Sequence, residues 1–219
     1  IEVPLRKGFE VFEETTNLKN GEQWTKTRKI KESPLKDEIT PEILKELILE
    51  TLKDFDFSAT NKKYFDRSEI YQNSAMLVYT DVHVGMDVNK KGHSLYGGKW
   101  DEEELFLRME TMADAFIAYV NNNRVKEIVI VDLGDFMDGW DAMTARKGHE
   151  LPQNMDNKES FKAGLKFKVQ LVHRIVKGTG LVPKIINICN DNHSADFGYI
   201  VNESAKNTLE LMYHGIQIT

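Results

Sequence analysis

From residue 74 onward the chain alternates short apolar runs with longer stretches of helical periodicity, and that alternation restricts it to the α/β class. Runs 75–79, 128–133 and 185–189 are aliphatic or β-branched and too short for helices, so they are expected as buried strands. Between the first two, Asp101 and Glu104 make a capping pair ahead of an apolar face formed by Leu105, Met109, Met112, Phe116 and Tyr119. Between the second and third, Phe161, Leu165, Val169, Val172 and Val176 mark another such face, with Gly178 as its expected stop. The order is therefore βαβαβ, with parallel strands and right-handed crossovers. Residues 203–213 read as a further helix and 215–219 as the start of a further strand.

Residues 1–73 differ in character. They are polar and mixed, with turn signals at Asn20-Gly21 and Ser33-Pro34 and a stretch around 24–31 suited to a hairpin. Thr40 followed by Pro41 is a good helix start, and Ile43, Leu44, Leu47, Ile48 and Leu52 form a stripe at helical spacing. The expected organisation is an N-terminal appendage over 1–73 and a main domain over 74–219. The cluster Lys26, Arg28, Lys29, Lys31 and Lys36 reads first as a solvated strand face and second as a contact for a nucleic-acid backbone.

Composition narrows the setting. No apolar run approaches the roughly 18 residues of a membrane span, so no membrane partner is expected. A single cysteine, Cys189, forms no internal disulfide, and the first residues lack the pattern of a secretory leader. A reducing, cytoplasmic setting is expected. The net charge of −6 gives no general attraction to nucleic acid, so a phosphate-bearing substrate must be held by local positive charge or by metal.

In an open parallel sheet, ligands bind beyond the carboxyl ends of the strands. Here the three strands run into Thr80-Asp81-Val82-His83, Gly134-Asp135-Phe136-Met137-Asp138-Gly139 and Asn190-Asp191-Asn192-His193-Ser194. Each end carries metal-ligand types. Carboxylate, amide oxygen and imidazole together suit Mn, Fe or Zn better than Ca, and the absence of a cysteine cluster disfavours structural zinc. Any one of these acids is as readily a turn or helix cap; it is the three in order that point to a catalytic metal site.

That series resembles the calcineurin-like metallophosphoesterases, whose motifs run Asp-x-His, Gly-Asp-x-x-Asp and Gly-Asn-His-Asp/Glu. The resemblance covers roughly 74–219, and the long loop at 140–156 is similar to that of phage and prophage members. It implies a layered sheet fold and hydrolysis of phosphate esters at a two-metal site through a bridging hydroxide. Phosphodiesters, as in a nuclease, come first; a phosphomonoesterase, or a binding or structural module that kept the fold, are the alternatives. The implied cofactors are two divalent ions, Mn foremost, with Fe, Zn or Mg as alternatives. Asp81 and His83 would bind one ion, Asp135 would bridge both, and Asn192 would bind the second, with Asn190 as the fallback. His193 would be the proton donor, oriented by Asp138. A phosphate-ester substrate, nucleic acid among the candidates, is the implied partner.

The chain departs from the resemblance in three places. Asp191 stands where the family has glycine, and Ser194 where it has Asp or Glu, a change expected to loosen the loop. The family's later lone histidine and Gly-His-x-His motif do not occur, and an additional C-terminal segment is the expected explanation. Arg146 and His149, with Lys147, could clamp a phosphate from the loop after the second motif. Of the remaining histidines, His93 reads as a solvated loop residue before a substrate contact, His173 as a packed surface residue, and His214 as a partner for a helix C-terminus.

Overall fold

The computed structural model describes residues 9–17, 23–31, 40–53, 73–88, 98–144, 150–188 and 191–219, with side chains from residue 40 onward. The loop residues His93, Arg146, Lys147, His149 and Asn190 lie outside the described residues. The chain divides into two compact units, 1–43 and 44–219. In the first, β1 (Phe9–Asn17) and β2 (Gln23–Lys31) pair antiparallel from Phe9 opposite Lys31 to Asn17 opposite Gln23. Helix α1 (Pro41–Leu52) opens on Thr40, whose Oγ1 accepts the Ile43 N–H at 3.3 Å. The division falls inside this helix, in which Leu47 is buried and Glu50 pairs with Lys162 at 2.5 Å.

The main unit is α/β. Strands β3 (Asn73–Tyr79), β4 (Val125–Asp132), β5 (Lys184–Asn187) and β6 (Gln217–Ile218) form one parallel sheet in the order β3-β4-β5-β6. Helices α2 (Glu102–Asn122), α3 (Asn157–Thr179) and α4 (Ala195–Met212) make the crossovers, and α2 packs on α3 and α3 on α4. Strands in sequence order with crossovers of one hand place all three helices on one face. Alternation along the strands agrees: Ala75, Ile128, Ile130 and Ile185 are buried, whereas Met76, Val78, Leu133, Ile186 and Ile188 are 43–60% exposed on the other face. A parallel sheet ordinarily buries both faces, so this one carries an apolar surface on its open side.

The helices bury most of the expected apolar stripes. In α2 Leu105, Met109 and Phe116 are buried together with Ala113 and Val120, whereas Tyr119, expected on that face, is exposed and Met112 only half-buried; Asp101 caps the helix by accepting the Glu104 N–H at 3.0 Å. In α3 the stripe from Phe161 to Val176 is buried, but the helix does not stop at Gly178. It ends on Gly180, left-handed at φ 70°, while Gly178 lets α2 approach: a Cβ there would lie 2.7 Å from Ile117 Cδ1. Helix α4 starts at Ala195, well before the expected 203.

The start of α3 offers a clean stability test. Asp156 accepts the Glu159 N–H at 2.8 Å, and Glu159 accepts the Asp156 N–H at 2.9 Å, a reciprocal capping box. Asp156→Ala is expected to cost about 1 kcal/mol of stability, measured as a lower urea midpoint at unchanged slope.

Candidate metal centre

The loops after β3 and β4 leave the sheet together. Asp81 N–H donates to Gly134 O at 3.2 Å, His83 N–H to Asp135 O at 3.1 Å, Val84 N–H to Phe136 O at 2.9 Å, and Asp138 N–H to Val84 O at 3.1 Å. The two loops thus continue as a bonded pair past the strand ends. Within them Asp81, His83 and Asp135 are left-handed, with φ of 52°, 47° and 50°. A non-glycine residue adopts that conformation at a cost, and such residues concentrate at functional sites. Gly134, at φ 100°, makes the entry to Asp135: a Cβ there would meet Asp191 Cβ at 3.3 Å.

The side chains converge on a buried carboxylate. Asp138 is 2% exposed, and its Oδ1 lies 3.0 Å from His83 Nδ1 and 3.6 Å from His193 Nδ1. A carboxylate accepts, so His83 carries its proton on Nδ1 and turns the lone pair of Nε2 outward, 3.6 Å from Asp81 Oδ1. The His83 and His193 rings meet edge to face at 4.4 Å. Donor atoms of His83, Asp135 and His193 all lie within 4.8 Å of one another. Asp138 Oδ2 and His193 Nδ1 have no hydrogen-bond partner. These two orphans are complementary in kind, a carboxylate acceptor and a ring nitrogen able to donate.

The third loop is held from both sides. Asp191 Oδ1 accepts the N–H groups of His193 at 3.1 Å and Ser194 at 2.5 Å, and Asp135 Oδ1 lies 3.3 Å from the His193 N–H. Ser194, 2% exposed, accepts the Met137 N–H and donates to Met137 O, each at 3.0 Å. The loosening expected from serine at this position does not occur, because its hydroxyl ties the third loop to the second. Ionisation follows the same contacts. Burial, and a hydrogen bond shared with the Asp191 side chain, push Asp135 above the usual carboxylate range. Burial works the same way on Asp191, but the N–H groups of Ser194 and Asp135 outweigh it and hold Asp191 low. For His83, burial favours the neutral ring, yet the Asp138 hydrogen bond and the charges of Asp138, Asp135 and Asp81 together raise it.

Of the residues anticipated from sequence, Asp81, His83, Asp135, Asp138 and His193 come together, and Asn192 sits exposed beside His193. His193 stands at ligand distance, and Asp138 is closer to His83 than to His193. His173 is half-buried with Nδ1 2.7 Å from Tyr213 Oη, and His214 is exposed past the end of α4. The donors suit a small divalent cation. Two ligands about 2.1 Å from one tetrahedral ion stand roughly 3.4 Å apart, close to the 3.6 Å between His83 Nε2 and Asp81 Oδ1. The chain matches no family model, no curated protein and no solved structure.

Ser194→Ala would strand both Met137 backbone groups in a buried position. We expect a loss of about 1–3 kcal/mol, read by chemical denaturation, with Ser194→Thr recovering part of it.

Proposed function

We propose that this chain is a metal-dependent phosphoric ester hydrolase of the calcineurin-like metallophosphoesterase type, acting on phosphodiesters in preference to monoesters. The observation that carries the reading is the convergence of His83, Asp135 and His193 from three successive strand ends around the buried Asp138. Asp81 and Asn192 are exposed.

Asp81, His83 and Asp135 would hold the first of two divalent ions, Mn foremost, and Asp135 with Asn192 would hold the second. When bound, such ions neutralise charge on the phosphoryl oxygens and make hydroxide available near neutral pH. The protein's own part is orientation and proton transfer. Asp138 fixes the Nδ1 proton of His83 and so keeps Nε2 free to ligate. His193 donates a proton from its outer ring nitrogen to the leaving oxygen, and a bond from its Nδ1 to the free Asp138 Oδ2 orients the ring during transfer.

Hydrolysis of bis- and mono-nitrophenyl phosphate with Mn²⁺ in excess tests this directly. Asp135→Asn is expected to abolish the Mn²⁺-dependent rate, and full activity in that variant would sink the assignment. His193→Ala should lower turnover roughly 10²-fold or more while leaving Mn²⁺ binding nearly intact; equal losses of binding and rate would make His193 a ligand instead.

A further inference from the structure

Beneath the turn that carries Asp135 lies an ion pair almost wholly removed from water. Lys168 of α3 and Asp132, the last residue of β4, are 5% and 1% exposed at the side chain, with Nζ 2.5 Å from Asp132 Oδ2. Lys168 Nζ also donates to Asn187 Oδ1 on β5 at 3.1 Å and lies 4.1 Å from the centre of the Phe136 ring. The other oxygen of Asp132, Oδ1, accepts the Gly134 N–H at 3.0 Å. A continuous chain of contacts therefore runs from α3 through Lys168 and Asp132 to Gly134, the left-handed residue that directs Asp135 into the site.

We infer that Lys168 and Asp132 are positioning residues: they clamp the Gly134-Asp135 turn and so set where the Asp135 carboxylate stands. This rests on the reading of Asp135 as a metal ligand. A buried ion pair is a poor source of stability, since well-packed apolar residues of similar volume usually replace one without loss. Here the charges do something apolar residues cannot. Asp132 is the only described side chain bonded to the Gly134 N–H, and Lys168 reaches both Asp132 and the ring of Phe136, the residue after Asp135. The turn is gripped on either side of the ligand. Partners that orient a ligand typically change metal affinity 10–100-fold when removed.

Two double variants separate clamping from simple stability. Asp132→Leu with Lys168→Met replaces the pair by apolar residues and removes the acceptor for Gly134. Asp132→Asn with Lys168→Met removes the charges but keeps an amide oxygen there. Mn²⁺ affinity by electron paramagnetic resonance and amide exchange at Gly134 and Asp135 are read on each. The apolar pair is expected to fold, to lose protection at Gly134, and to bind Mn²⁺ at least roughly 10-fold more weakly; the amide pair stays within about 3-fold of the parent. An apolar pair that folds and keeps both affinity and protection overturns the inference. If the parent binds no Mn²⁺, the metal reading of Asp135 fails by itself, and loss of Gly134 protection in the apolar pair alone still decides for the clamp or, if absent, against it. Should the apolar pair not fold, Lys168→Gln provides the same comparison: smaller losses of both readouts support the clamp, and no change in either overturns it.

Discussion

The site depends on a backbone constraint: two loops that leave parallel strands side by side and remain hydrogen-bonded to each other while three of their residues turn left-handed. The bonds from Asp81, His83 and Val84 to Gly134, Asp135 and Phe136 extend the β3–β4 pairing past the strands. A regular strand would send alternate side chains to opposite faces. Left-handed turns at Asp81, His83 and Asp135 break that alternation, so acid, imidazole and acid can face one region. Each turn is tolerated because the loop around it is over-determined, by the paired loops on one side and by Gly134 against Asp191 on the other.

Sheet order explains why this region lies where it does. With β3, β4, β5 and β6 in sequence order, every strand end points the same way, and β3, β4 and β5 are each followed by a loop and a helix on the same face. The helical face buries Ile128, Ile130 and Ile185, whereas Met76, Val78, Leu133, Ile186 and Ile188 stay exposed across the sheet. The loops that carry Asp81, His83, Asp135 and His193 leave the ends of the strands, where side chains can be half-buried, as those of His83 and His193 are.

Much of this was legible in the sequence because it rests on local pattern. Strand runs, the helix stripes and the Asp101 cap follow from periodicity and from short-range hydrogen bonding, and the parallel order follows from the alternation of strands with helices. What escaped was set by contacts across the fold. Gly178 reads as a helix stop until Ile117 of a neighbouring helix is seen against it, and the true stop lies at Gly180. The start of α4 was hidden because it has no side-chain cap to mark it: Ser194 precedes the helix and its hydroxyl is turned to Met137 instead. Lys168 does carry a sequence signal: a lysine amid the apolar stripe of α3, matched by the acid Asp132 that closes the apolar run 128–131 of β4. A charge in each of two buried faces is a reason to look for a pair.

The departures at Asp191 and Ser194 belong together. A loop of the Gly-Asn-His-Asp/Glu kind carries its carboxylate after the histidine, whereas here the carboxylate stands three positions earlier. From Asp191 the carboxylate reaches forward to the N–H groups of His193 and Ser194, fixing the backbone of the histidine and of the residue that leads into α4. The position it vacates holds a hydroxyl small enough to be buried, and that hydroxyl both accepts from and donates to Met137, the residue before Asp138. Room for it depends on Gly198, where a Cβ would come within 2.7 Å of Ser194 Cβ. A larger acid at 194 would have to displace that packing. Asp191 thus anchors the histidine while Ser194 binds the third loop to the second by neutral hydrogen bonds, with Asp138 beneath the two imidazole rings.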